Sequence, residues 1–151
     1  MAADEHQATC DFCAIARGED PAVEVVCERP NWIAFFPLSP ATPGHTLIIP
    51  RQHIHDLWEL HDAALADDLI HAAISVGNAI QQALTPEGMN LITSAGAAAE
   101  QSVFHLHLHL VPRWQRDGFG PIWPREDRYE DDSLDNVAAR IRAACEELVK
   151  P

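Results

Sequence analysis

The 151 residues, 47% hydrophobic and 22% charged, suit one compact globular domain over residues 1–151 and exclude a disordered or fibrous polymer. The formal charge of −13, from 23 acidic and 10 basic residues, excludes tight binding to nucleic-acid backbones, which requires clustered Lys and Arg. No apolar run approaches a membrane span, and MAADEHQATC lacks the basic flank and apolar core of a secretory signal, so a cytoplasmic location is expected.

Residues 1–9 are polar and expected to be flexible. Cys10-Asp11-Phe12-Cys13 opens a helical turn that runs to about Arg17 and stops at Gly18 and Asp20-Pro21. Residues 23–28 and 32–36 read as strands joined by the turn Arg29-Pro30-Asn31. The proline-rich stretch 37–44 is a rigid extended connection. Thr46 to Pro50 is a short continuous apolar run, expected of a strand covered on both faces. Asp62 is placed to cap a long helix reaching Leu84, with Leu65, Leu69, Val76 and Ile80 on one stripe. Thr85-Pro86-Glu87-Gly88 stops that helix. A strand is expected over 89–94, a small-residue loop over 95–100 and irregular chain over 114–128. Residues 126–135 form an acidic, solvated segment, and Leu134, Val137, Ile141, Cys145 and Leu148 fall at helical spacing on a C-terminal helix. Strands in hairpin order with helices set aside predict an α+β fold, an antiparallel sheet with the long helix across one face. Cys27 and Cys145 lack a partner pattern and are expected as buried apolar positions.

The stretch Gln101-Ser102-Val103-Phe104-His105-Leu106-His107-Leu108-His109-Leu110-Val111-Pro112-Arg113 carries the chemistry. Strict alternation predicts a half-buried strand with His105, His107 and His109 on one face and Phe104, Leu106, Leu108 and Leu110 in the core. Such a row of imidazoles implies a ligand, a metal or a phosphate. The outer two stand roughly 13 Å apart along an ideal strand, so they cannot share one metal ion. Two of the three could share one, and the remaining ring must do something else.

HLHLHLVPR resembles the His-x-His-x-His-x-x signature of the histidine triad (HIT) proteins, a family of nucleotide hydrolases and transferases. FFPLSPATPGHTLIIPRQH, the approach Gln101-Ser102-Val103, the trailing Asp117-Gly118-Phe119-Gly120 and the N-terminal Cys-x-x-Cys extend the likeness over roughly residues 10–123. The resemblance implies a five-stranded antiparallel sheet and a homodimer built around the long helix and adjoining strand. It also implies a catalytic group of His107 as nucleophile, His109 holding a phosphate oxygen and assisting departure, and Ser102 and Gln101 contacting phosphate and leaving group. Phe12, Ile15, Phe35 and Phe36 match the apolar wall around the base, and Ser94, Ser102, His107 and His109 the remaining nucleotide contacts. In bacterial relatives with zinc, the ligand positions correspond to Cys10, Cys13, His53 and His105, a set suited to structural tetrahedral Zn²⁺. His55 is the alternative ligand. His45, within Pro43-Gly44-His45-Thr46, is expected to support the local fold, and Arg113 either lends charge to the phosphate site or caps the strand.

The pattern departs at Pro37, where many relatives carry a ribose-gripping acid, at Ser94 in place of asparagine, and at Glu100 in place of glycine. The expected activity is cleavage at the α-phosphate of nucleoside phosphoramidates, adenylates or dinucleoside polyphosphates through a nucleotidyl-histidine. The alternative is a non-catalytic, zinc-stabilised module that binds nucleotides or a protein partner.

Overall fold

The structure, a computed structural model, describes residues 9–123 and 134–148. The first eight residues and most of the acidic 126–135 segment lie outside that range. The chain divides into two units, residues 1–119 and 120–151. In the first, helix α1 (Asp11–Ala16) precedes strands β1 (Val25–Glu28), β2 (Trp32–Phe35) and β3 (Thr46–Pro50). A 3-10 turn (Leu57–Glu59), helix α2 (Ala63–Leu84), β4 (Gly88–Ile92), a second 3-10 turn (Ala97–Ala99) and β5 (Leu108–Arg113) follow. In the second, α3 (Leu134–Leu148) is the described helix.

The five strands form one antiparallel sheet in the order β1-β2-β3-β5-β4. All five residues of β3 are buried, because a different layer covers each face of the sheet. On one face Ile33, Phe35, Leu47 and Ile49 pack with Ile15 and Ala16 of α1. On the other Trp32, Ala34, Ile48, Leu108 and Leu110 meet the stripe of α2 that contains Leu65, Leu69, Val76 and Ile80. Each such Leu, Ile or Val contributes roughly 1.5–3 kcal/mol by leaving water. The Asp62 carboxylate accepts from the backbone N–H groups of Ala64 and Leu65 at 2.9 and 3.2 Å, which fixes where α2 begins.

Three expectations change. The triad stretch is strand only from Leu108 onward, since pairing with β3 ends at Ile48↔Leu108. Before that point the chain bonds to loops: Leu106 N–H donates to Ile54 O at 2.6 Å, and Thr93 Oγ1 donates to His107 O at 2.9 Å. Phe104 is therefore 45% exposed rather than in the core, its ring stacked on His55 at 4.8 Å. Cys145, expected buried, is exposed on α3, while Cys27 is half-buried against the core.

Gly44 turns the chain into β3 with φ +81°, a left-handed conformation that strains an L side chain, and a Cβ there would also have to displace the end of the Leu84 side chain. Next to it, Thr42 Oγ1 donates to Pro112 O at 2.7 Å. These contacts hold the 37–45 connection against β5, the strand that carries the last triad histidine.

Candidate functional site

His109 pairs with Leu47 across the β3–β5 ladder, so it stands on the α1 face of the sheet. His107 is on the same face, with ring centroids 4.8 Å from those of His109 and 5.3 Å from those of Phe12. Each imidazole meets a partner that fixes which nitrogen carries hydrogen. A carbonyl only accepts, so His107 Nδ1, 2.7 Å from His105 O, is the protonated nitrogen and Nε2 keeps its lone pair. Ala41 N–H donates to His45 Nδ1 at 3.0 Å, so hydrogen sits on His45 Nε2. That Nε2–H donates to His109 Nδ1 at 2.9 Å, which leaves His109 Nε2 as an N–H donor. Two different rings result, one presenting a lone pair and the other a hydrogen.

Burial holds both in the neutral form. It lowers the His107 pKa below the usual 6.5, partly offset by the bond to His105 O. It takes His109 down to about 4, helped by repulsion from His107 and His45. His107 is only 6% exposed, flanked by the edge of the Phe12 ring. Phe12 also meets Phe35 edge-on at 5.6 Å, so α1 lays one aromatic wall along the triad face. Ile15 and Phe35 are buried behind that wall.

Phe36 is not part of it. Successive strand residues point to opposite faces, and Phe36 lines the groove on the α2 side with Trp32 and Val76. Gln101 is corrected as well. Its oxygen accepts from Gly96 N–H at 2.8 Å, and its amide donates to the carbonyls of His55 at 2.8 Å and Val103 at 3.2 Å. Both amide hydrogens are spent on backbone, so this buried side chain braces the 95–103 loop and offers no donor to a substrate. Ser102 is exposed beside Val103 and Phe104, in a surface hollow of about 650 Å³. Ser94 is half-buried and Glu100, at φ +64°, is exposed.

His105 turns away from this chemistry. Its Nε2–H donates to Pro50 O at 2.9 Å, leaving Nδ1 as the lone-pair nitrogen. Nδ1 lies 3.5 Å from the Sγ atoms of both Cys10 and Cys13, and His53 Nδ1 lies 3.3 Å from Cys13 Sγ. The four donor atoms all fall within 4.8 Å of one another. Zinc bonds of about 2.3 Å to sulfur and 2.0–2.1 Å to nitrogen at tetrahedral angles separate S from N by roughly 3.6 Å. The cluster therefore fits a Cys₂His₂ ion. Burial and the neighbouring Cys10 push the Cys13 thiol up to about 11, so its thiolate needs a compensating cation. His55 is outside the cluster, paired with Asp56 at 3.2 Å. Arg51 ties the end of α1 to the sheet by donating to Ala16 O and Arg29 O and pairing with Glu28.

Arg113 donates to both Asp117 carboxylate oxygens at 2.6 and 3.3 Å and to Asn90 Oδ1 at 2.8 Å, with Phe119 stacked on its guanidinium. It closes the end of β5. His45 and Thr93, which hold His109 and the His107 carbonyl, had no functional signal in sequence beyond the His45 motif position.

Fold and site together define an antiparallel-sheet protein that sets a row of three histidines beside a Cys₂His₂ cluster. The HIT domain family profile matches residues 17–116, and the chain belongs to the HIT family. "Protein hit" of Bacillus subtilis (strain 168) is 39% identical over 134 residues, covering 87% of this chain and 91% of that one. The adenosine 5'-monophosphoramidase hnt1 of Schizosaccharomyces pombe is 33% identical, covering 77% and 84%. Among solved structures, a Bacillus subtilis HIT family member superposes with TM-score 0.79 at 37% identity, covering 89% of this chain and 96% of that one. A Zn-bound histidine triad family protein from Mycobacterium smegmatis superposes with TM-score 0.69 at 32% identity, covering 91% and 99%.

Proposed function

We propose that the protein is a nucleotide hydrolase or transferase that cleaves at the α-phosphate of nucleoside phosphoramidates, adenylates or dinucleoside polyphosphates. The observation that carries this reading is the pair of opposite tautomers, a lone pair on His107 Nε2 beside a hydrogen on His109 Nε2. His107 Nε2 attacks the α-phosphorus, a P–N bond forms and the bond to the leaving group breaks. His109 Nε2–H holds a phosphate oxygen and supports the departing group, and the Ser102 hydroxyl contacts that group. Water then attacks the nucleotidyl-histidine, releasing the nucleoside monophosphate and restoring His107. Phe12 walls the base, backed by Ile15 and Phe35, and Ser94 adjoins the phosphate. Resemblance to the Schizosaccharomyces pombe phosphoramidase supports this substrate class.

Cys10, Cys13, His53 and His105 would hold a Zn²⁺ whose role is structural, tying α1 to the stretch that carries the triad. Four protein donors fill a tetrahedron and leave no position for an activated water. The working unit is a homodimer in the cytoplasm.

The experiment is to incubate the protein with an adenosine phosphoramidate and with diadenosine tetraphosphate and to assay AMP. Wild type should release AMP and His107→Ala should not. The 6% exposure of His107 beneath Phe12 is the observation favouring a non-catalytic nucleotide-binding or protein-interaction module. Equal inertness of wild type and His107→Ala on every conjugate would establish that second reading.

A further inference from the structure

Two nucleophilic side chains are left unused by the proposed reaction, Cys10 and Cys13. Cys10 is the N-cap of α1 and Cys13 lies three residues on. Positions i and i+3 of one helical turn hold Cβ atoms roughly 5–6 Å apart, and a disulfide brings them to about 3.5–4.5 Å. The bridge therefore closes by a shift of Cys10, whose extended backbone (φ −83°, ψ 118°) lies outside the helical turns. The Sγ atoms lie within 4.8 Å of each other. Access differs between them: Cys13 is buried, whereas Cys10 is half-buried and lines the 650 Å³ surface hollow with Asp11, Gln52 and His53. A small solute in that hollow meets Cys10, which lines it, and not the buried Cys13. The other two cysteines are on β1 and α3, outside the cluster.

We propose that Cys10 and Cys13 are a redox-labile clasp, converted by a hydroperoxide to an intramolecular disulfide that releases the metal the cluster holds. Cys10 Sγ, as thiolate, attacks the terminal peroxide oxygen. The O–O bond breaks, the sulfur becomes a sulfenic acid, and the alkoxide or hydroxide leaves and takes a proton. Cys13 Sγ, the second thiolate, then attacks the Cys10 sulfur, the S–O bond breaks, and the departing hydroxide takes a proton from solvent and leaves as water. The two thiolates lose two electrons in all, and the peroxide receives them. Thiolate is the form that binds metal, so the disulfide removes two of four donors and leaves only His53 and His105.

The event reaches the triad through Phe12, which stands between the two cysteines in sequence and against His107 in space. Loss of the clasp leaves α1 held by Ile15, Ala16 and the Arg51 contacts. That last consequence rests on the hydrolase reading; the disulfide and the metal release do not.

The test uses the full chain with Cys27→Ser and Cys145→Ser, loaded with zinc and treated with hydrogen peroxide. A chromogenic chelator should report loss of the bound zinc, with an intact mass lower by about 2 Da, both reversed by dithiothreitol. Cys10→Ser in the same background should show no such mass loss. Chelator-stripped protein should form the same disulfide, so a chain that never binds zinc yet loses about 2 Da refutes the zinc assignment and keeps the disulfide. Zinc retained with both thiols still open to alkylation, or a mass gain from sulfinic acid without disulfide, would overturn the proposal.

Discussion

An imidazole acts as nucleophile or as donor according to which nitrogen bears hydrogen, and in this site neighbours decide that for each ring. His45 is the clearest case, because it links Ala41 N–H to His109 Nδ1 and so fixes the hydrogen on the far side of His109. His45→Ala should lower kcat by roughly tenfold to a hundredfold, the scale of a misplaced catalytic group. His45→Gln, whose amide can still donate to His109 Nδ1, should recover most of it. Equal loss in both variants would show that His45 acts only in folding the 41–46 turn. At this scale the sequence was informative where spacing alone fixes geometry. Three alternating histidines must share a face, and Cys-x-x-Cys must share a helical turn. It assigned Gln101 to the substrate rather than to the loop and was silent about Thr93, because a hydrogen bond between loops depends on segments far apart in the chain.

Period and caps made most elements readable before any coordinates: the stripe of α2, its Asp62 cap, the apolar run of β3. Two misreadings came from extending a pattern beyond its partner. The alternation of 104–110 continues past the last β3–β5 pair, Ile48↔Leu108, although β3 itself runs on to Pro50 against β2, so the strand stops at Leu108 while the histidines carry on. Phe35 and Phe36 resemble one wall, yet strand parity sends them to opposite faces. The end of β5 supports a prediction of its own. Arg113 and the N–H groups of Trp114 and Phe119 all bond to the Asp117 carboxylate, and chiefly the Arg113 bond takes its pKa down to about 2. A depressed folded-state pKa contributes stability that is complete above the unfolded value near 3.8 and is lost as pH falls toward about 2. Asp117→Asn should therefore be less stable than wild type at neutral pH, and the gap should narrow below pH 4. Denaturant titrations across that range measure it, and a gap independent of pH would mean the carboxylate's charge contributes nothing.

For the whole molecule, a Cys₂His₂ ion that joins α1 to the chain just beyond β3 and to the triad stretch should stabilise the folded state by mass action. At a thousandfold excess of zinc over its Kd the gain is about 4 kcal/mol, or roughly 10 °C in Tm for a chain of this size. Chelation should lower Tm by that order while turnover persists below the new transition. Immediate loss of turnover with Tm unchanged would point to a metal that takes part in the reaction. The proposed dimer rests on a different surface. β4 is the edge of the sheet, bonded to β5 on one side only in the sheet order. Beside it α2 exposes Ile70 and Ile74, and β4 exposes Leu91, around a hollow of about 310 Å³ that reaches Met89. An apolar sheet edge is a site for strand addition unless something covers it. A two-fold axis would set β4 against its own copy and bury the same residues twice, so one substitution acts at two places in the interface. Ile74→Asp and Leu91→Asp together should give a monomer by sedimentation at concentrations where wild type is a dimer. Both positions are more than half exposed, so the separated chain should keep its far-UV signature. A wild-type monomer at every concentration would leave that face without a second copy to cover it.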